Sequence, residues 1–230
     1  MKYQSLHPWE VNQRKAINIQ LQLKKKVSLG KNFSKIEKIA GADVSYYRDK
    51  AIAGIVVLEF PYLKIIERKF FIYTVKFPYI PGLLAFREGP ALLGAFERIR
   101  IEPDVIIFDG QGIAHPRRMG IATHIGLFLD KPTIGCAKSR LSGNYSSLGK
   151  ERGSYSLLKD KQEVIGAVVR TKGEVKPIFV SPGNKIDLDT SIKIVLKCTG
   201  KYRLPEPIRE AHIFVNRISK YLAMDGQRSC

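Results

Sequence analysis

Two aspartates stand where aspartate is costly. Asp43 lies inside the strand-like run Ala40-Gly41-Ala42-Asp43-Val44-Ser45-Tyr46, and Asp109 closes the apolar run Val105 to Phe108. Aspartate disfavours strands, and a carboxylate among apolar neighbours is costly unless it is paired or bound to a cation. A Lys or Arg partner accounts for Asp43 as well as a cation does, and an ordinary Asp-Gly turn accounts for Asp109. If the two strands are neighbours, the carboxylates converge, and hard oxygen ligands of this kind suit Mg2+, with Mn2+ as a substitute. Glu88 stands just ahead of an expected helix start and can face the sheet, although negative charge also suits a helix N-terminus for ordinary reasons. His212, two residues after Glu210 in the last helical segment, can position water or assist proton transfer, against the commoner reading of a surface or core histidine. His7, His115 and His124 have no partner at a helical metal-ligand spacing, which argues against zinc.

The most unusual loop is Phe77-Pro78-Tyr79-Ile80-Pro81-Gly82, where two prolines fix φ around an aromatic and a β-branched residue. A stiff exposed aromatic can replace lost base stacking, at about 1 to 3 kcal/mol per base. The plainer reading is a proline-bounded turn whose Tyr79 and Ile80 cap the core. Lys138 can meet a phosphate as a point charge or be a simple exposed lysine. Gly82, Gly110 and Gly112 offer backbone that a purine can approach, but glycine loops also simply turn. Val180-Ser181-Pro182-Gly183-Asn184 reads as a tight turn of no visible function.

Positioning these residues falls to a readable series of elements. Trp9 to Lys26 has an imperfect helical pattern with a basic end, and three β-like runs follow: Ile36 to Tyr46, Ala51 to Phe60 and Leu63 to Val75. Their links are too short for crossover helices, so the three are antiparallel neighbours. Between Pro81 and Arg100 the period becomes helical, with Pro90 suited to the first helical position and Gly89 to the cap. Val105 to Phe108 reads as a strand buried on both faces. A helix from Arg117 to Leu129, a strand Thr133 to Ala137, strands near Val164 to Thr171 and Pro177 to Val180, and helices near Leu188 to Cys198 and Ile208 to Leu222 complete the chain. No linker or repeat interrupts residues 1–230, so a single domain is expected. Its class is α/β: a mixed central sheet, three antiparallel strands followed by parallel ones, with helices on both faces, as in the ribonuclease H-like fold.

Composition narrows the partners. The 230 residues carry 39 Lys+Arg against 21 Asp+Glu, a net charge of +18 that attracts a polyanion. The excess is spread over Arg14 to Lys31, Arg117 and Arg118, and Arg170 to Arg203, so it is not a basic tail. Cys136, Cys198 and Cys230 are odd in number and widely spaced, which fits a reducing compartment and leaves no disulfide framework or CxxC zinc pattern. No signal-peptide core opens the sequence and no apolar run approaches the roughly 20 residues of a membrane helix, so a cytoplasmic protein without membrane partners is expected.

Gly41-Ala42-Asp43-Val44, Pro78-Tyr79-Ile80-Pro81-Gly82, Phe86-Arg87-Glu88, Asp109-Gly110-Gln111-Gly112 with His115-Pro116-Arg117, Gly135-Cys136-Ala137-Lys138-Ser139, Val180-Ser181-Pro182-Gly183, and Leu204-Pro205-Glu206-Pro207 with Arg209 and His212 come in an order that resembles the motif set of endonuclease V. The likeness runs through most of the chain. It implies a DNA repair nuclease acting on deaminated bases, chiefly deoxyinosine, which hydrolyses the second phosphodiester bond 3′ to the lesion. The lesion stays on the nicked strand, and the ends are 3′-hydroxyl and 5′-phosphate. Carried onto this sequence, the resemblance makes Asp43 and Asp109 the Mg2+ ligands, has Glu88 complete the acidic cluster, has His212 assist at the cut, and places Tyr79 in a strand-separating wedge with Pro78, Ile80 and Pro81. Lys138 and His115 become DNA contacts, and Gly82, Gly110 and Gly112 line a base pocket. Hypoxanthine keeps guanine's O6 and N1 proton without the exocyclic amine, so a tight glycine-lined pocket would admit it and exclude guanine. The partner is then inosine-containing DNA, double- or single-stranded. Two rivals remain at this point: a ribonuclease for inosine-containing RNA on the same fold, and a basic nucleic-acid-binding module without catalysis.

Overall fold

In this computed structural model residues 1–30, 33 and 35–228 are described, with side chains described as far as residue 225. Lys31 and Cys230, used above for charge and cysteine pairing, lie outside the described residues. One eight-stranded sheet organises the molecule, in the order β3-β2-β1-β4-β5-β8-β7-β6. β1 (Lys38–Tyr47), β2 (Lys50–Glu59) and β3 (Ile65–Thr74) are antiparallel neighbours, as their short links require. β4 (Val105–Phe108) and β5 (Thr133–Ala137) run parallel to β1. β6 (Tyr155–Asp160), β7 (Glu163–Val169) and β8 (Ile178–Asn184) finish the sheet as antiparallel strands beyond β5.

Helices cover both faces, as the α/β class demands. α2 (Leu84–Phe96) and α3 (Ile121–Leu129) pack on one face through Leu92, Phe96, Ile125 and Phe128 against Ala40, Ala42, Ile106 and Phe108. On the other, α4 (Leu188–Lys197) and α5 (Glu206–Arg228) bury Val195, Ile208 and Ala211 against Ile39, Ile107 and Val180. α1 (Gln13–Leu23), capped by the Asn12 side chain on the Lys15 N–H, joins Phe77, Phe86 and Met119 in a third cluster.

Several expectations change. Pro90 does not start α2; it sits inside it, because the turn Pro81-Gly82 already launches a helix whose buried side begins at Ala85 and Phe86. Gly89 is likewise not a cap: a Cβ there would lie 2.5 Å from the Trp9 ring. Glu88 is consequently a mid-helix residue, buried at 9% exposure. α3 begins at Ile121 and not Arg117, since Arg118 takes a left-handed φ of 59° that no helix can continue. The expected turn at Val180 to Asn184 is the second half of β8, and β6 was not anticipated at all.

Candidate metal and nucleic-acid site

The register of two parallel strands brings the aspartates together. Ala42 pairs with Phe108, so the next residues, Asp43 and Asp109, are neighbours, and the Asp109 N–H donates to the Ala42 carbonyl at 3.1 Å. Strand alternation decides the face. Ala42 and Phe108 belong to the α2–α3 side, so Asp43 and Asp109 point to the α5 side. α5 can lie close because Gly41 has no side chain: a Cβ there would come within 1.9 Å of the Pro207 carbonyl. Pro207 occupies the first turn of α5, where a missing N–H leaves no bond unmade.

That close approach sets His212 over Asp43, with Nδ1 to Oδ2 at 2.8 Å. Asn216, one turn along α5, donates to His212 Nε2 at 3.0 Å, so the ring carries its proton on Nδ1 and donates to the carboxylate. Ligand atoms of Asp43, Asp109 and His212 all lie within 4.8 Å of one another. Burial and the Asp109 charge push the Asp43 carboxyl up to about 6, only partly offset by His212. A carboxylate pair held so close without a cation is electrostatically frustrated, and a divalent ion relieves it. The donor set therefore fits a hard divalent cation.

Glu88 stands outside this group. It reaches the same end of the sheet from α2 and accepts from the Tyr46 hydroxyl at 2.9 Å. Burial, helped by the charges of Asp43 and Asp109 and opposed by the hydrogen bond from Tyr46, pushes its carboxyl up to about 8. Arg87 donates to the same Tyr46 oxygen at 3.2 Å and covers the Tyr46 ring. Lys138 binds Asp109 directly, Nζ to Oδ2 at 2.5 Å, leaving its side chain 41% exposed beside the cluster.

Next to the cluster opens a cleft. Asp109, Gly110 and Lys138 form one side, and Tyr79, Ile80, Pro81 and Gly82 another. Tyr79 is 69% exposed while Ile80 packs partly against the α1 cluster, so the core-capping reading holds for Ile80 and fails for Tyr79. Pro78 and Gly112 do not reach the cleft wall among the residues lining it. Gly112 is pressed beneath it, its N–H bonded to Ser181 Oγ at 2.8 Å, with the Pro182 carbonyl where a Cβ would sit. His115 lines the cleft but is 2% exposed, and both ring nitrogens are engaged by the protein.

Residues 21–213 match the family model for endonuclease V. This chain belongs to the endonuclease V family. An endonuclease V of Methanothrix thermoacetophila is 50% identical over 213 residues, 93% of this chain and 95% of the relative. The endonuclease V structure from Bacillus subtilis superposes with a TM-score of 0.94 at 33% identity, covering 98% of this chain and 100% of that one. A Ciona intestinalis endonuclease V, solved in complex with a 23mer DNA containing an inosine followed by a ribo-adenosine, gives 0.80 at 29% identity, covering 92% and 100%. The mixed sheet with helices on both faces is thus the endonuclease V fold.

Three residues at or beside this candidate site were not picked out from the sequence. Asn216 had a usable signal, lying at the i+4 position from His212 on a helix. Tyr46, three residues past Asp43, points to the opposite face, and only the three-dimensional position of Glu88 reveals its part. Gln20, buried in α1, carries no motif at all.

Proposed function

We propose that this protein is a metal-dependent endonuclease of deaminated DNA, recognising deoxyinosine and hydrolysing the second phosphodiester bond on its 3′ side. The observation that carries the reading is the meeting of Asp43, Asp109 and His212 beside a cleft walled by the Tyr79 loop. Asp43 and Asp109 would hold the cation, and Mg2+, with Mn2+ as substitute, would supply a more acidic water and neutralise charge on the phosphate. The chain's own residues do the remainder. His212, fixed by Asn216, holds a proton at Nδ1 beside Asp43. Glu88, whose carboxyl burial raises to about 8, would be a further carboxylate beside a bound cation. Lys138 is placed to trade Asp109 for a phosphate oxygen. Tyr79 fills the gap left by the displaced base, and Gly82 and Gly110 let the purine close against backbone.

Tyr79→Ala isolates the wedge. Because the ring is mostly exposed, the substitution should leave the melting temperature within about 2 °C of the parent. Cutting of inosine strands should fall about tenfold, the scale of one lost stacking contact. A large drop in thermal stability would instead return Tyr79 to the core.

The Ciona relative was solved with a ribo-adenosine after the inosine, which keeps inosine-containing RNA as a second reading. Single inosines placed in otherwise identical DNA and RNA strands, alongside undamaged controls, decide between them. Faster cutting of the DNA strand supports the proposal, faster cutting of RNA moves the substrate class, and equal cutting of undamaged strands removes the base pocket.

A further inference from the structure

Pro81 and Gly82 are the central residues of a β-turn closed by the Leu83 N–H on the Ile80 carbonyl at 2.9 Å. Gly82 takes φ of +78°, the conformation that a turn with proline then glycine requires. This turn ends the Tyr79 loop and begins the approach to α2. Its outward carbonyl, Gly82 O, is unusually occupied. It accepts from Gln20 Nε2 at 3.1 Å, His115 Nε2 at 2.9 Å and a terminal nitrogen of Arg117 at 2.8 Å. Three donors thus meet one oxygen that has two lone pairs.

The donors are themselves fixed. His115 Nδ1 accepts from the Arg117 backbone N–H at 3.1 Å, which leaves the ring proton on Nε2 for Gly82. Burial, with Arg117 beside it, moves the His115 pKa down to about 4, in keeping with a ring that stays neutral. Gln20 is fully buried, and its orientation is settled by both ends of its amide. Oε1 accepts from Arg117 Nε at 2.5 Å, while Nε2 also donates to the Met119 carbonyl at 3.2 Å. One amide on α1 therefore clasps the Tyr79 loop to the segment holding His115, Arg117 and Met119. Both segments line the cleft, one through Gly82 and the other through His115 and Met119.

We infer that Gln20 is a positioning residue for lesion recognition: through Gly82 and Arg117 it sets the width of the cleft and the reach of Tyr79, without touching the cluster that cuts. The inference rests on the proposed function, since it gives that cleft a base to receive. Its signature is a split between steady-state constants, because a misplaced wedge weakens capture of the inosine strand while Asp43, Asp109 and His212 keep their geometry.

The test uses Gln20→Glu and Gln20→Met on the full chain with a duplex bearing one inosine. Glutamate keeps an acceptor for Arg117 but cannot donate to Gly82 or Met119, whereas methionine removes both roles. KM should rise about tenfold in Gln20→Glu and further in Gln20→Met, with kcat within about twofold of the parent. Preference for inosine over undamaged duplex should fall in step. Should either variant fail to fold by circular dichroism, Arg117→Met removes a second donor to the same carbonyl from a less buried site and should show the same split. Parental KM and selectivity in the folded variants, or loss of kcat at constant KM, would overturn the inference. A parent protein that does not cut the inosine duplex would count against the proposed function instead.

Discussion

Replacing Asp109 by alanine should lower metal-dependent nicking of inosine-containing DNA by about 1,000-fold or more, roughly 4 kcal/mol of barrier, while binding of the strand persists. Asp109 is one of two carboxylates whose convergence is built into the β1–β4 register, and among the described residues no other acid joins that cluster. The fold should survive. The substitution removes an ion pair whose Lys138 end is 41% exposed and free to turn to solvent, and it lifts the repulsion that, after burial, raises the Asp43 pKa. Binding should hold because the cleft remains and the net charge, +18 in the parent, becomes one unit more positive. Gel-shift and nicking assays on one preparation separate the two effects. Retained nicking would remove Asp109 from the chemistry, and joint loss of binding and nicking would give it a different part. A binding module without catalysis would show no nicking by the parent at all.

Gly41→Ala makes the shortest contact of any methyl added at the described glycines and should be strongly destabilising. Its Cβ would meet the Pro207 carbonyl at 1.9 Å, and that neighbour is backbone anchored by the first turn of α5. α5 must lift, which costs about 3 kcal/mol and lowers the melting temperature by about 6 to 12 °C in a chain of this length. The same displacement draws His212 away from Asp43, so activity should fall even below the melting transition. Gly54→Ala is the natural control. There the added carbon meets side-chain rather than backbone atoms, but the nearest, at 2.4 Å, belongs to the buried β-branched Val215 of α5, so the cost should be smaller than at Gly41 yet still about 2 kcal/mol. Thermal unfolding followed by circular dichroism ranks the two. A Gly41→Ala protein that melts with the parent would mean that α5 does not depend on this contact.

Much of the frame could be read from local pattern. Short links between β1, β2 and β3 forced antiparallel neighbours, and the apolar run before Asp109 marked a strand buried on both faces. The metal-ligand pair was visible as two carboxylates in costly places. What stayed hidden depended on contacts between distant segments. Pro90 looked like a helix start because nothing local shows the Pro81-Gly82 turn launching α2 earlier, and Glu88 was therefore placed outside the helix that buries it. Ser181, Pro182 and Gly183 have turn-like composition, yet they continue β8: Ser181 Oγ accepts from the Gly112 N–H, and a Cβ at Gly183 would meet Thr133. Gln20 was lost in a basic helix, since its partners stand 62 and 97 residues away.

The most direct measurement is nicking of an end-labelled duplex carrying one inosine, run with Mg2+, with a chelator in its place, and with Mg2+ restored. A single nick at the second phosphodiester 3′ to inosine should form with Mg2+, vanish with the chelator and return on restoration. Cutting that continues without a divalent cation, or falls equally on the undamaged duplex, would contradict a carboxylate-held metal acting beside an inosine pocket.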